Sequence, residues 1–277
     1  MAVPARRPAR FFSVLAAFLA AFLVAGSCAA APSSVAVPPS VVAGKQRWIP
    51  APRTTWQWQL SGTVDTTVNA QVYDIDGVDN SADVVAALHR AGREVVCYVN
   101  AGAAEDFRPD AAAFPPAVKG KNDGWPGEQW LDIRRQDILA SIMTARFRQC
   151  RDKGFDAIEA DNADSYAEDT GFPLTGADQL SYNRMLAGIA HRLGLSIALK
   201  NDLEQVGDLL PDFDFSIDES CAEQGQCDLL VPFIRAGKAV FHVEYRLPNE
   251  QFCPETTALG FSSMRKNRSL DAARWPC

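Results

Sequence analysis

Carboxylates at the ends of short apolar runs are the groups in this chain best able to do chemistry. In Gly154-Phe-Asp-Ala-Ile-Glu-Ala-Asp-Asn-Ala-Asp-Ser-Tyr166 a turn glycine precedes a short strand, and Asp161 stands where that strand runs out. Alternation puts Ala157, Glu159 and Asp161 on one face and Ile158 and Ala160 on the other, so the acidic side can look into a cleft. A second carboxylate, Glu244, sits in the otherwise apolar Phe241-His-Val-Glu-Tyr245. Hydrolysis of a glycosidic bond needs one proton donor and one nucleophile or base on opposite sides of a sugar. Asp161, among polar neighbours, should stay ionised and act as nucleophile or base. Glu244, partly desolvated, should be the general acid/base. The structural alternative for Glu244 is a salt bridge with Arg246 or Lys200, and the alternative for the Asp161 loop is an Asx turn or helix cap.

The elements that would position this pair follow from periodicity. Apolar runs at Thr55 to Leu60, Gln71 to Ile75, Glu94 to Val99, the Asp161 strand, Leu195 to Leu199, Phe213 to Ile217, Ala239 to Val243 and Thr257 to Ser262 read as eight strands. Helical patterns intervene, over about 81–91, 134–153, 177–193 and 229–236, with a Pro/Gly-rich loop around Trp125 and Trp130. Strand and helix in alternation imply right-handed βαβ units, and eight of them predict an α/β fold, a single (β/α)8 TIM-like barrel. A doubly wound open sheet is the runner-up, but no Gly-x-Gly-x-x-Gly follows the first strand.

Nearly every strand end in this layout is polar. Gln57 and Gln59 come from the first, Asp74 and Asp76 from the second, and Tyr98 and Asn100 from the third. Asn162 adjoins Asp161, Lys200, Asn201 and Asp202 follow the fifth strand, Asp218 and Glu219 the sixth, and His242 and Tyr245 the seventh. Gathered at the loop-bearing end of a barrel they would form a carbohydrate-style cleft. Asp74, Asp218 and Glu219 would supply anionic subsites, Tyr98, Asn100, Asn162, Lys200, Asn201 and Tyr245 polar contacts, and Trp56 and Trp125 stacking surfaces, with Trp58 and Trp130 as further candidates.

Composition narrows the class. The chain has 277 residues and a formal charge of −7, and its first thirty residues hold three arginines and no acid. An acidic mature chain does not suit nucleic acid, whose binding relies on clustered Lys and Arg, and favours a cationic ligand instead. Arg6, Arg7 and Arg10, the apolar run from Phe11 and the small residues around Cys28 form a secretory signal peptide over 1–30. Cleavage before Cys28 would instead leave a lipid anchor. Residues 31–51 read as a flexible linker and 52–277 as the barrel, with no further apolar segment long enough to span a membrane. Six cysteines remain, and among fifteen pairings we expect Cys97–Cys150, Cys221–Cys227 and Cys253–Cys277. The first follows from alternation, which turns Cys97 toward the helix layer. No metal-ligand spacing is evident, no cofactor is expected, and the chain should act as a monomer.

Several strings together carry a family resemblance: Trp56-Gln-Trp-Gln-Leu60, Val72-Tyr-Asp-Ile75, Cys97-Tyr-Val-Asn-Ala-Gly102, Trp130-Leu-Asp-Ile133, Gly154 to Asn162, Leu199-Lys-Asn201 and Phe241 to Tyr245. Over about residues 55 to 270 the chain resembles glycoside hydrolase family 114, the endo-α-1,4-polygalactosaminidases. The resemblance implies a (β/α)8 barrel that cleaves α-1,4-linked galactosamine-rich polysaccharide, a cationic amino-sugar polymer, without a cofactor, and places Asp161 and Glu244 on the family's catalytic positions. The usual proline before that Asp-Asn is Ala160 here, and Phe261-Ser-Ser-Met-Arg-Lys-Asn267 departs from the expected final strand. A non-catalytic polysaccharide-binding barrel, or an α-glycosidase of other specificity, is the alternative.

Overall fold

The computed structural model describes residues 47–277; the leader, Cys28 and the linker up to residue 46 lie outside the described residues. In chain order the elements are β1 (Trp56–Gln59), β2 (Val72–Asp76), α1 (Ala82–Arg90), β3 (Glu94–Asn100), β4 (Ala103–Glu105), β5 (Lys119–Asn122), β6 (Glu128–Leu131), α2 (Gln136–Lys153), β7 (Ala157–Asp161), α3 (Gly176–Arg192), β8 (Ser196–Lys200), α4 (Val206–Leu209), β9 (Phe215–Glu219), α5 (Cys221–Gln224), α6 (Val231–Arg235), β10 (Val240–Glu244), α7 (Asn249–Leu259), β11 (Ser262–Lys266) and β12 (Arg274–Pro276). Strands β1, β2, β3, β7, β8, β9, β10 and β11 pair in parallel in that order, and β12 adds antiparallel to β11. This is the (β/α)8 barrel. Its β1–β11 seam is bridged by other means: the Trp56 indole N–H donates to Ser262 O at 2.8 Å, and Gln57 Nε2 to Ala272 O at 2.9 Å.

Two apolar clusters divide the strand residues by parity, as a period of two requires. Trp56, Trp58, Val72, Val96, Ala157, Ala198, Phe215, Ile217, Phe241, Val243 and Met264 fill the barrel interior. Tyr73, Ile75, Val95, Cys97, Ile158, Ala160, Ile197, Leu199 and Val240 face outward against Leu139, Met143, Phe147, Leu186 and Ile189 of the helices. Disulfides join Cys97 to Cys150, Cys221 to Cys227 and Cys253 to Cys277. The first ties β3 to α2 across 53 residues, a closure that by chain entropy stabilises on the order of 4 kcal/mol. Gly154 ends α2 in the left-handed region (φ 95°) and turns the chain into β7.

Two expectations are corrected. The eighth strand is not Thr257 to Ser262. Those threonines close α7, Gly260 caps it at φ 88°, and the strand begins at Ser262. Pro254 inside α7 breaks the helical pattern in the sequence, which hid the helix. The Pro/Gly-rich loop is in fact a three-stranded antiparallel sheet in the order β4-β6-β5, inserted at the barrel mouth because β3 runs directly into β4.

Candidate active site

Lys200, the last residue of β8, organises the mouth. Its side chain is 1% exposed, and its Nζ lies 2.7 Å from Asp161 Oδ1, 3.0 Å from Glu159 Oε1 and 2.9 Å from Glu219 Oε1. The ammonium donates hydrogen bonds to Glu159 and Asp161 and pairs by charge with Glu219, and the Trp58 ring, 4.8 Å away, covers the remaining side. Burial alone would expel the charge, but these carboxylates outweigh it and hold Lys200 protonated well above its usual range.

Of the three partners, Asp161 and Glu219 reach the cleft, with side chains 18% and 29% exposed; Glu159 is fully buried. Burial pushes the Asp161 carboxyl up, yet the Lys200 charge and hydrogen bonds from Lys200 and Tyr98 bring it below the ordinary range. Tyr98 donates to Asp161 Oδ2 at 2.9 Å, and Tyr245 donates to Glu219 Oε2. Asn201 Oδ1 accepts the Glu219 backbone N–H at 3.0 Å, fixing the end of β9. The strands that carry the site leave it through left-handed residues that are not glycine: Asn162 (φ 60°), Asn201 and Asp202 (both φ 51°) and Ser220 (φ 70°). Strained backbone of this kind persists only where its surroundings over-determine it. Gly102 has the complementary role, since a Cβ there would fall 1.9 Å from Asn162 O.

The inserted sheet forms one wall. Asn100 donates to Glu128 Oε2 at 2.8 Å, and Asn162 donates to Asn100 Oδ1 at 3.2 Å. Burial, then the Asp123, Glu105 and Asp161 charges, push Glu128 up to about 8. Trp125 stands on the rim, 56% exposed. On the opposite wall Asp164 is raised to about 7 by burial and the Asp161 charge, and Asp202 to about 8 by burial and Asp164. Asp76 is engaged by Arg108 at 2.6 Å.

Six expected site residues do not face the cleft. Lys200 and Asn100 are each 1% exposed and held by their neighbours, and Glu244, Asp218, Trp56 and Asp74 are turned away or buried. Glu244 and Asp218 have the parity of the helix-facing side, because Phe215, Ile217, Phe241 and Val243 point into the barrel. Glu244 is fully buried; its Oε1 accepts the backbone N–H groups of Ala222 (2.9 Å) and Glu223 (3.2 Å) at the start of α5 and lies 3.0 Å from His242 Nε2. Neither expected cation is its partner: Arg246 pairs with Glu223, and Lys200 serves the three carboxylates named above. Asp218 accepts the Cys221 N–H at 3.1 Å. Burial raises it to about 6, against the pull of His242. Trp56 is 2% exposed and stacks on Phe241 at 4.8 Å between centroids, a core residue rather than a stacking surface. Asp74 is wholly buried, one layer deeper than Asp161.

Glu159, Glu128 and Asp164 are the site groups to which the sequence reading gave no role, and Asp202 was placed at the cleft without one. Glu159 had a signal, since it shares the Asp161 face two residues earlier. Glu128 had none, because its approach depends on how the insertion folds back. Among the described residues two groupings have the donors for a metal. Cys221, Cys227 and His242 lie together, but the two sulfurs form a disulfide. His89, Glu94 and Asp156 lie at the opposite, N-terminal end of the strands, where His89 Nε2 sits 2.7 Å from Asp156 Oδ2.

The sequence profile of glycoside-hydrolase family GH114 matches residues 38–277. Among solved structures, Aspergillus fumigatus Ega3 in complex with galactosamine is similar at 37% identity, covering 83% of this chain and 97% of that one, with a TM-score of 0.79. The glycoside hydrolase domain of PelA from Pseudomonas aeruginosa shares the fold at 14% identity, covering 79% and 96% of the two chains, with a TM-score of 0.61. No curated protein matches the chain.

Proposed function

The chain belongs to glycoside-hydrolase family GH114, and from that premise we propose that it is a secreted endo-acting hydrolase of α-1,4-linked galactosamine-rich polysaccharide with Asp161 and Glu219 as its reacting pair. The observation that carries the pair is the shared ammonium: these two carboxylates are both held by Lys200 and both partly open to the cleft. Glu244, the other candidate in the sequence, serves the α5 amides on the far side of the sheet.

Asp161, kept ionised by Lys200 and Tyr98, is the nucleophile. Glu219 is the acid/base. In the reacting form Glu219 has taken up a proton from solvent through the cleft. It donates this proton to the glycosidic oxygen while Asp161 attacks C1 and the C1–O bond to the leaving sugar breaks, forming a glycosyl ester. It then regains a proton from the water that displaces Asp161. The nearest oxygens of the pair both contact one nitrogen, at 2.7 and 2.9 Å, which bounds their separation. Carboxyls held this close suit a retaining enzyme, at about 5–5.5 Å, better than an inverting one, at about 6.5–9.5 Å. Galactosamine bound to the related Ega3 supports an amino-sugar substrate, and an arriving ammonium group would favour the ionised forms of Glu128 and Asp164, whose pKa values lie above the ordinary carboxylate range in the free protein.

Export follows from the leader. Residues 1–30 are removed as a signal peptide, 31–51 link to the barrel at 52–277, and the six cysteines then oxidise; processing before Cys28 would tether the same domain to the cell surface. No helix among the described residues is long and apolar enough to cross a membrane.

The test is release of soluble oligosaccharides from partly deacetylated α-1,4-galactosaminogalactan by the mature domain, with chitosan as control and the product anomer read by proton NMR. Oligomers of retained configuration from the polymer alone are the expected result. Binding without release would move the reading to a non-catalytic polysaccharide-binding barrel, and inverted product would overturn the covalent step.

A further inference from the structure

Asp74 on β2 and Glu159 on β7 meet in the barrel interior, one layer deeper than Asp161, and both are completely shielded from solvent. Among the described residues neither Asp74 oxygen receives an N–H or O–H, and Glu159 Oε2 receives none either. Each of these carboxyls acts directly on the other. A hydrogen bond between two carboxyl groups requires a proton on one of them, and two dry carboxylates at that range cannot both ionise.

We propose that Asp74 is a permanently protonated acid that donates to Glu159, and that this pair is a positioning device fixing Lys200 between Asp161 and Glu219. The proton belongs on Asp74 because only Glu159 has a cation: Lys200 Nζ sits 3.0 Å from Glu159 Oε1. An ionised Asp74 would be a buried charge with no donor of its own, which is costly. Burial first, and the Glu159 charge next, push Asp74 well above the usual carboxylate range, with Lys200 opposing and Asp161 adding to the rise. Satisfied by the Asp74 hydroxyl, Glu159 presents its other oxygen to Lys200, which is then held by all three carboxylates. Without that anchor the ammonium is free to swing on its flexible stem toward either reacting carboxylate and unbalance them. The inference rests on Asp161 and Glu219 being the reacting pair.

The experiment compares full-length mature Asp74→Asn, Asp74→Ala and Glu159→Gln with wild type, in polymer hydrolysis and in carboxyl carbon-13 NMR with the Asp74 signal assigned by its loss in Asp74→Asn. Asparagine supplies an N–H where the acid supplied an O–H, so Asp74→Asn should keep kcat within about threefold. Asp74→Ala should lose about ten- to a hundredfold, in kcat rather than KM, as is typical when an outer partner of a reacting group is removed. Glu159→Gln removes a negative charge that shares Lys200 with Asp161 and should move the acid limb of kcat/KM to lower pH, which loss of packing alone would not do. The Asp74 signal should remain that of a protonated acid in neutral solution, where a free aspartic acid is ionised. Asp74→Asn as impaired as Asp74→Ala, an unmoved Glu159→Gln profile, or a carboxylate signal at Asp74 in neutral solution would each overturn the proposal. If wild type fails to cleave the polymer, the substrate reading falls, while the NMR titration still decides whether Asp74 holds the proton.

Discussion

The same strands carry two buried carboxylate networks on opposite faces. Inside the barrel, Glu159, Asp161 and Glu219 converge on one ammonium, with two of the three open to the cleft. Outside it, Glu244, His242 and Asp218 lie between the sheet and α5, tied to backbone amides and to Ser263. Glu219 and Asp218 are neighbours in sequence, as are Tyr245 and Glu244, yet each pair is split between the networks. A carboxylate turned to the cleft can exchange partners with a substrate; one whose partners are the N–H groups of a helix start cannot do so without undoing that helix. Desolvation is therefore no guide to chemistry here, since the more deeply buried network is the structural one.

Exchanging amides for acids should break this comparison most sharply. Asp161→Asn and Glu219→Gln should each lower kcat by about 10³-fold or more, near the upper part of the range for acid–base groups, with folding and polymer binding retained. Equal losses from Glu244→Gln, which keeps an oxygen for the amides, would return the acid/base role to Glu244. Lys200→Met should follow, with kcat reduced roughly a hundredfold as an electrostatic positioning group is lost. Its circular dichroism melt should also be lower, because three carboxylates are left facing one another without a cation.

Glu244→Leu sharpens the comparison from the outer side. It strands the Ala222 and Glu223 amides, and stability should fall by about 2–4 kcal/mol in urea unfolding, while kcat in the folded enzyme changes less than tenfold by the same test of roles. The smallest effect belongs to Asp218. Its folded value of about 6 lies above the ordinary value of 3.8, so the folded state binds the proton more tightly. Its contribution is favourable at acid pH and lost as pH rises through about 6. Asp218→Asn should therefore raise Tm by a few degrees at pH 7, from about 1–3 kcal/mol recovered, and leave Tm near pH 4 unchanged. A uniform shift at both pH values would assign Asp218 no linked proton.

Much of the barrel was legible because its signal is local. Seven of the eight barrel strands were foreseen to within about two residues, a margin expected for element boundaries, and the outward turn of Cys97 fixed its reach to Cys150. The exceptions have local causes too: Pro254 disguised α7, and strands as short as β4 and β5, with Lys119 and Lys121 on the latter, lack an apolar alternation to read.

The sequence by itself determined the strand–helix alternation and the presence of acids at the strand ends, since each depends on composition and spacing within a few residues, whereas it left the cysteine pairing as one choice among fifteen. Tertiary structure alone decided which acids meet. Parity had to be anchored by Phe215, Phe241 and Val243 entering the core before Glu244 and Asp218 could be assigned to the helix side. The meeting of Asp161, Glu159 and Glu219 at Lys200 joins residues up to 60 apart in number through the closure of a barrel, a long-range geometry that no run of neighbouring residues encodes.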